Sequence, residues 1–329
     1  MQHFLIIQTA FIGDAILVSG AVKSIRDCAP EANIDIVVRK GNQSFYEDHP
    51  FVRNVFVWDK NSNKTGNLLK VVRDIRSTKY DAVFNFQRFF STGLITSFSR
   101  AKLKVGFDKN PLSFLFGKTV KHVIGDGRHE VERNLELLQT ALPEAKVARP
   151  QLFPSEEHYN SILQLRKERP YITLSPNSVW ETKKLPSKHF IHIMDQTNPE
   201  FNVYLLGGPG DKSFCEDIKN ASSHPNVTVL AGRLSLLAST ALMEYAQMNY
   251  VNDSAPLHLC SAVNAPVCAF FCSTVPEFGF TPLSDNQVVI ETAEKLECRP
   301  CGLHGFKACP KEHFHCGEKM NMDRIPLFK

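Results

Sequence analysis

The residues best suited to chemistry lie in a few short stretches. Asp14 sits in "FIGDAIL", directly after the apolar run "HFLIIQTA", where a buried strand hands over to a helix. A carboxylate there does one of two jobs: it complements the positive end of a helix, or it takes a proton from a bound hydroxyl. Gly13 beside it permits backbone angles that a residue with a side chain resists, and lets a ligand come close. A second stretch, "LSPNSVWETKKLP", closes an apolar run with Ser175, Asn177 and Ser178 and continues to Lys183 and Lys184. A lysine in such a turn holds a phosphate as a point charge, or is one of two solvated surface lysines. "YLLGGPGDKSF" runs into a glycine turn, Gly207 and Gly208, with Asp211 opening a helix. That turn either admits a ligand to the backbone or is simply tight and capped. In "YVNDSAPLHLCSA" the amides of Asp253, Ser254 and Ala255, with the Ser254 hydroxyl, stand where a helix begins and suit an anion. Pro256 fits an early helical position, and His258, on the first turn, faces either a ligand or the core.

Two further clusters are less specific. Between Arg100 and Arg133 there are eight Lys or Arg residues, among them Lys102, Lys104 and Lys121, against four acids. The segment is a solvated face or a landing patch for an anionic partner. Near the end, Cys298, Cys301, Cys309 and Cys316 fall within nineteen residues, with His304, His313 and His315 interleaved. Four thiolates so close can hold zinc tetrahedrally, in a structural role. The spacing is not that of a paired zinc ribbon, and a compact tail of reduced or partly paired cysteines fits it as well.

These stretches must be positioned by something, and the pattern around them is regular. Short apolar runs alternate with helical periodicity, which points to an α/β protein. Strands are expected at "HFLIIQ", "NIDIVVR", "NVFVWD" and "DAVFNF", with helices near 14–28, 66–77 and 128–141. A proline-containing stretch, "LPEAKVARPQLFPSEE", interrupts the series. A helix "EEHYNSILQLRKE" follows, then strands at "YITLSP", "NVYLLGG", "NVTVL", "MNYVND" and "APVCAFF", with helices near 187–197, 211–221, 235–247 and 256–263. The reading is two Rossmann-like, doubly wound parallel-sheet domains facing a central cleft. The expected bounds are 1–155 and 156–297, with a cysteine-rich tail over 298–329. Ligands of such sheets bind beyond the strand carboxyl ends, where Asp14, Ser175, Gly207 and Asp253 all fall.

The totals exclude other classes. The chain has 329 residues, 43% apolar and 22% charged, and a net charge of +4. It is long enough for two cores, and too weakly basic for nucleic acid. No run approaches the length of a membrane span, and the first residues lack the basic stretch of a secretion signal. An odd count of nine cysteines in a large chain fits a reduced, cytoplasmic protein. Neither half carries the G-x-G-x-x-G spacing of a dinucleotide enzyme.

"FIGDAIL", "KKLP", "LGGPGD" and "NDSAPLHLCSAVNAPVCAFF" occur in the order and spacing found in bacterial heptosyltransferases, and the tail "CRPCGLHGFKACPKEHFHCGEKM" is similar to that of many members. The chain resembles that family, the glycosyltransferases that add heptose to the lipopolysaccharide inner core, over residues 3 to about 320. The resemblance implies a GT-B fold, an acceptor-binding first half and a nucleotide-sugar-binding second half. It makes Asp14 the general base and Lys183, not Lys184, the donor-phosphate lysine. It assigns Asp253, Ser254, Ala255 and His258 to a phosphate-binding loop in which Ala255 replaces the usual glycine. A negative φ at Ala255 would make that replacement harmless. Leu185 stands where the family often has tryptophan.

From this follows an expected inverting transfer. Asp14 takes the acceptor proton, while Lys183, the amides around Ser254 and the helix dipole hold the departing diphosphate, with closure of the domains on substrate. Ser175, Asn177, Ser178, Gly207, Gly208 and Asp211 complete the donor side; Gly13, Arg100, Lys102, Lys104 and Lys121 serve the acceptor. ADP-heptose is the expected donor and a phosphorylated, lipid-linked saccharide the acceptor, with charge-driven contact at the cytoplasmic face of the inner membrane. No cofactor is required, and a divalent metal is permitted but not demanded. Another nucleotide sugar, or a catalytically silent sugar-nucleotide-binding protein, are the competing readings.

Overall fold

A computed structural model describes residues 1–167 and 169–329. The chain divides into two compact units, Met1–Phe153 and Pro154–Lys329.

The first unit runs β1 (His3–Gln8), α1 (Ile12–Cys28), β2 (Asn33–Arg39), β3 (Val52–Trp58), α2 (Lys64–Ile75), β4 (Tyr80–Asn85), α3 (Phe90–Phe98), β5 (Ala101–Phe107), β6 (Lys118–Val120) and α4 (Glu130–Gln139). Every strand pair is parallel and the order is β3-β2-β1-β4-β5-β6. The direction of winding therefore reverses between β1 and β4, the place where doubly wound sheets open a crevice at their carboxyl edge. β1 is buried along "FLIIQ" because helices cover both faces of the sheet. Leu5, Ile7, Val37, Trp58 and Val83 form one side of its core, packed on Leu68, Val71 and Ile75 of α2.

The second unit repeats the scheme. It begins with α5 (Glu156–Ser161) and α6 (Leu163–Lys167). Then follow β7 (Tyr171–Ser175), α7 (Ser187–Asp195), β8 (Asn202–Leu205), α8 (Lys212–Ala221), β9 (Val227–Val229), α9 (Leu236–Glu244), β10 (Met248–Asn252), α10 (Ala255–Ala262), β11 (Val267–Phe271), β12 (Gln287–Glu291) and α11 (His315–Glu318). The order β12-β11-β10-β7-β8-β9 is again all parallel, with the reversal between β7 and β10. The segment after residue 297 is part of this unit: Cys316, Met320 and Ile325 are buried in its core beside Tyr250 and Phe270.

The periodicity located every strand but β5, β6 and β12. β5 reads "AKLKVGF", with Lys102 exposed and Lys104 half-buried, so the apolar signal is broken. The segment "FSTGLITSF" of α3 holds two phenylalanines and an isoleucine with few helix formers, and it was not expected as a helix. The single helix expected over 156–168 is two short ones, α5 and α6, and its last residue, Glu168, lies outside the described residues.

Candidate active site

In the second unit the reversal point is built by Asn252, the last residue of β10. It is fully buried, and its Nδ2 donates to the carbonyls of Pro176 (3.0 Å), Asn177 (3.4 Å) and Ser175 (3.5 Å), while its Oδ1 accepts from Leu185 N at 2.9 Å. One amide thus pins both ends of the loop that follows β7. Lys183, within that loop, directs its ammonium to Asp253 Oδ2 at 2.6 Å, and Thr274 Oγ1 donates to the same oxygen at 2.6 Å. Ser254, extended at φ −156°, precedes α10, and Pro256 is its second residue. Ala255 opens that helix and is absent from the residues of positive φ, so the missing glycine imposes no strain. Lys183, Asp253, Ser254 and Ala255 are brought together as a cation beside a helix N-terminus. The Ser175 hydroxyl, buried at the end of β7, has no hydrogen-bond partner among the described residues.

The remaining donor-side candidates divide. Ser178 N donates to Asn177 Oδ1 at 3.0 Å, and the Asn177 amide bonds the Asp211 carboxylate. Asp211 in turn accepts from Gly208 N at 2.8 Å, and a Cβ on Gly207 would stand 2.7 Å from the Asp211 Cβ. Gly207, Gly208 and Asp211 therefore form a tight capped turn, the plainer of their two readings, linked to the loop through Asn177. His258 is buried, its ring 6.4 Å from that of Phe280.

In the first unit Asp14 occupies the first turn of α1, two residues past Ile12. Gly13 is inside that helix and does not use the left-handed conformation open to glycine. α1 packs on α4, whose first residue is Glu130, and the charge of Asp14 acts on it. Glu130 is buried and accepts from Arg133 Nε at 2.9 Å. Burial pushes its carboxyl up to about 7, with Asp14 adding to the rise and Arg133 and Arg88 opposing it. His122, beyond β6, is pushed down to about 4 by burial and by Arg88, Arg133 and Lys109. Asp14, half-buried, therefore lies within electrostatic reach of the buried Glu130–Arg133 pair, as does the half-buried Arg88.

That finding corrects the expected acceptor set. Arg100 and Lys102 lie at the amino-terminal end of β5, the edge opposite the one Asp14 follows. Arg100 bonds the Arg76 carbonyl, Lys102 pairs with Asp81 at 2.7 Å, and Lys104 bonds the Ser97 carbonyl. Only Lys121, just beyond the carboxyl end of β6, is exposed on the Asp14 edge. Charge density along the chain could not tell the two ends of one strand apart. The signal for the missed pair was present in "RHEVERN", an acid and an arginine three residues apart at a helix start.

Lys60 was also missed. It follows β3 and bonds the Thr9 carbonyl at 2.6 Å, and burial with the nearby Arg39 and Lys64 lowers it to about 8.

All nine cysteines carry free thiols. Cys316 is pushed up to about 11 by burial and by Cys301, with Cys309 and Cys298 adding, so the four tail thiols share one neighbourhood. Among the described residues, no group of three or more His, Cys, Asp or Glu side chains is arranged to hold a metal ion.

Comparison with known proteins agrees with this layout. The family model "Glycosyltransferase family 9 (heptosyltransferase)" matches residues 68–305, well over half of the chain. Lipopolysaccharide heptosyltransferase 3 of Escherichia coli is 25% identical over 84% of this chain and 85% of its own length. Among solved structures, the E. coli ADP-heptose LPS heptosyltransferase II superposes with a TM-score of 0.77 at 21% identity, covering 92% of this chain and 96% of that one. The E. coli heptosyltransferase WaaC with ADP does so with a TM-score of 0.72 at 19% identity, covering 88% and 92%. Two doubly wound units, a cation beside the start of α10 and a carboxylate at the start of α1 are thus carried by a chain that belongs to glycosyltransferase family 9, the heptosyltransferases, and it is a glycosyltransferase.

Proposed function

We propose that this enzyme transfers a heptose from ADP-heptose, with inversion, to a hydroxyl of the lipid-linked inner core of lipopolysaccharide. The observation that carries the reading is the Lys183–Asp253 pair beside the N-terminus of α10, at the reversal point of the second sheet. A diphosphate seated there meets the ammonium and the helix amides together. Two relatives support the choice of donor, since one is named for ADP-heptose and the other was solved with ADP.

The acceptor oxygen attacks the anomeric carbon as the bond from that carbon to the phosphate oxygen breaks. The acceptor proton passes to Asp14, and the nucleoside diphosphate leaves with the bond's electrons. Lys183 and the amides of Ser254 and Ala255 hold the charge that builds on it. Transfer requires no resident cofactor in this reading. The acceptor's own phosphates favour the cations on the Asp14 edge, and the same charges hold the protein to an anionic membrane at its cytoplasmic face. No helix among the described residues is long and apolar enough to cross a membrane.

Asp14→Asn tests the chemistry: turnover should fall by about 10²–10⁴-fold while calorimetry finds ADP bound as before. Near-normal turnover removes Asp14 from the reaction, and tighter binding of GDP or UDP than of ADP rejects the donor.

A further inference from the structure

The cysteine-rich segment is the motif that transfer chemistry leaves without a task. It folds back onto the loop that carries Lys183. Thr182 N donates to the Phe306 carbonyl at 3.1 Å, and Phe306 N donates to Thr182 Oγ1 at 2.8 Å. The Thr182 hydroxyl is thus clamped against a residue 124 positions away, and Thr182 itself is 2% exposed. The Thr182 carbonyl accepts from Ser273 N at 3.2 Å, and the Ser273 carbonyl accepts from Cys301 N at 2.8 Å. Arg299 ties the loop after β11 from below, donating to the carbonyls of Cys272 (2.6 Å), Phe271 (3.0 Å) and Thr274 (2.6 Å) and to Glu291 (2.6 Å). Thr274 closes the circuit, because its hydroxyl holds the carboxylate that holds Lys183.

The fit leaves no spare room. Gly305 has φ +77°, and a Cβ there would stand 2.8 Å from Thr182 Oγ1, 3.0 Å from Ser273 Oγ and 3.3 Å from Lys183 Cγ. Lysine has a flexible four-carbon stem, so its ammonium is placed only as well as its backbone and its end are held. Here the end is held by Asp253 and the backbone one residue earlier by the cysteine segment, the kind of supporting shell that a binding side chain needs.

We propose that Thr182 is a positioning residue for Lys183, and that the cysteine-rich segment, through Gly305 and Phe306, is the brace that sets where the donor's diphosphate is gripped. The inference rests on the reading of Lys183 as a diphosphate ligand. Thr182→Val keeps the shape and removes the hydroxyl. It should weaken ADP binding and raise the donor KM by about tenfold, lower kcat as the grip on the leaving diphosphate loosens, leave the acceptor KM near wild type, and be recovered by Thr182→Ser. In a Lys183→Ala background the same substitution should add nothing, because it acts through the missing ammonium. Gly305→Ala gives the same readout should Thr182→Val not fold. An unchanged donor KM, equal rises in both KM values, or full additivity with Lys183→Ala would overturn the brace. Wild-type ADP affinity in Lys183→Ala alone would instead remove Lys183 from the donor site, and the brace with it.

Discussion

Glu130 shows how a single side chain ties stability to pH. It sits at the start of α4, buried, bonded to Arg133 and close enough to feel the charge of Asp14. Its carboxyl titrates at about 7 in the folded chain against an ordinary value of 4.5. Between those two values the folded state holds a proton that the unfolded state has released, so wild-type stability must fall as pH rises through that window. Glu130→Gln cannot titrate. Its stability relative to wild type should improve by about 3 kcal/mol from pH 4.5 to pH 7, read by denaturant unfolding at a series of pH values. A constant offset between the two proteins would show that Glu130 keeps its ordinary titration.

At the scale of elements, the reversal point between β7 and β10 depends on Asn252. Its carboxamide donates to three loop carbonyls and accepts from one loop amide. Asn252→Ala should cost about 3 kcal/mol and abolish detectable ADP binding, since the loop bearing Lys183 loses both of its anchors. Calorimetric unfolding and titration on the same sample check both outcomes, and retained ADP binding would contradict the anchoring role. Elements of this kind were legible in the sequence where burial is two-sided: "HFLIIQ", "NIDIVVR" and "YITLS" are apolar throughout because helices cover both sheet faces. β5 and β12 were missed because their exposed or half-buried residues break that pattern. The placement of Asp14, Asp253 and Ser254 just beyond strand ends was readable, because that placement is local. The closeness of Arg88 to the Glu130–Arg133 pair was not, since two separate segments meet there. The role of Asn252 was likewise hidden, because an asparagine ending a strand looks like any other turn residue.

The molecule as a whole is two units whose sheets share one strand order, the core of the first complete by Phe153 and that of the second only when the segment beyond residue 297 is added. Met320 and Ile325 are buried in the second core, the Tyr250 hydroxyl bonds the Pro326 carbonyl, and Asn198 N donates to the Phe328 carbonyl at 2.6 Å. Removal of residues 298–329 strips buried apolar side chains from that core, each worth about 1.5–3 kcal/mol. The shortened chain should show limited proteolysis throughout the second unit while a fragment near Met1–Phe153 resists. A protease-resistant second unit would show that the segment is an appendage rather than core.

The same dependence has a consequence for biosynthesis. The first unit holds every strand of its sheet within its own span, so it can fold while the ribosome is still making the rest. The second cannot until Cys316 to Phe328, which follow its last strand and finish its core, have left the exit tunnel. During translation, at about 5–20 residues per second, the strands β7 to β12 must wait unsealed for Cys316 through Phe328. The second unit is therefore the one that spends longer on the ribosome with an unfinished core.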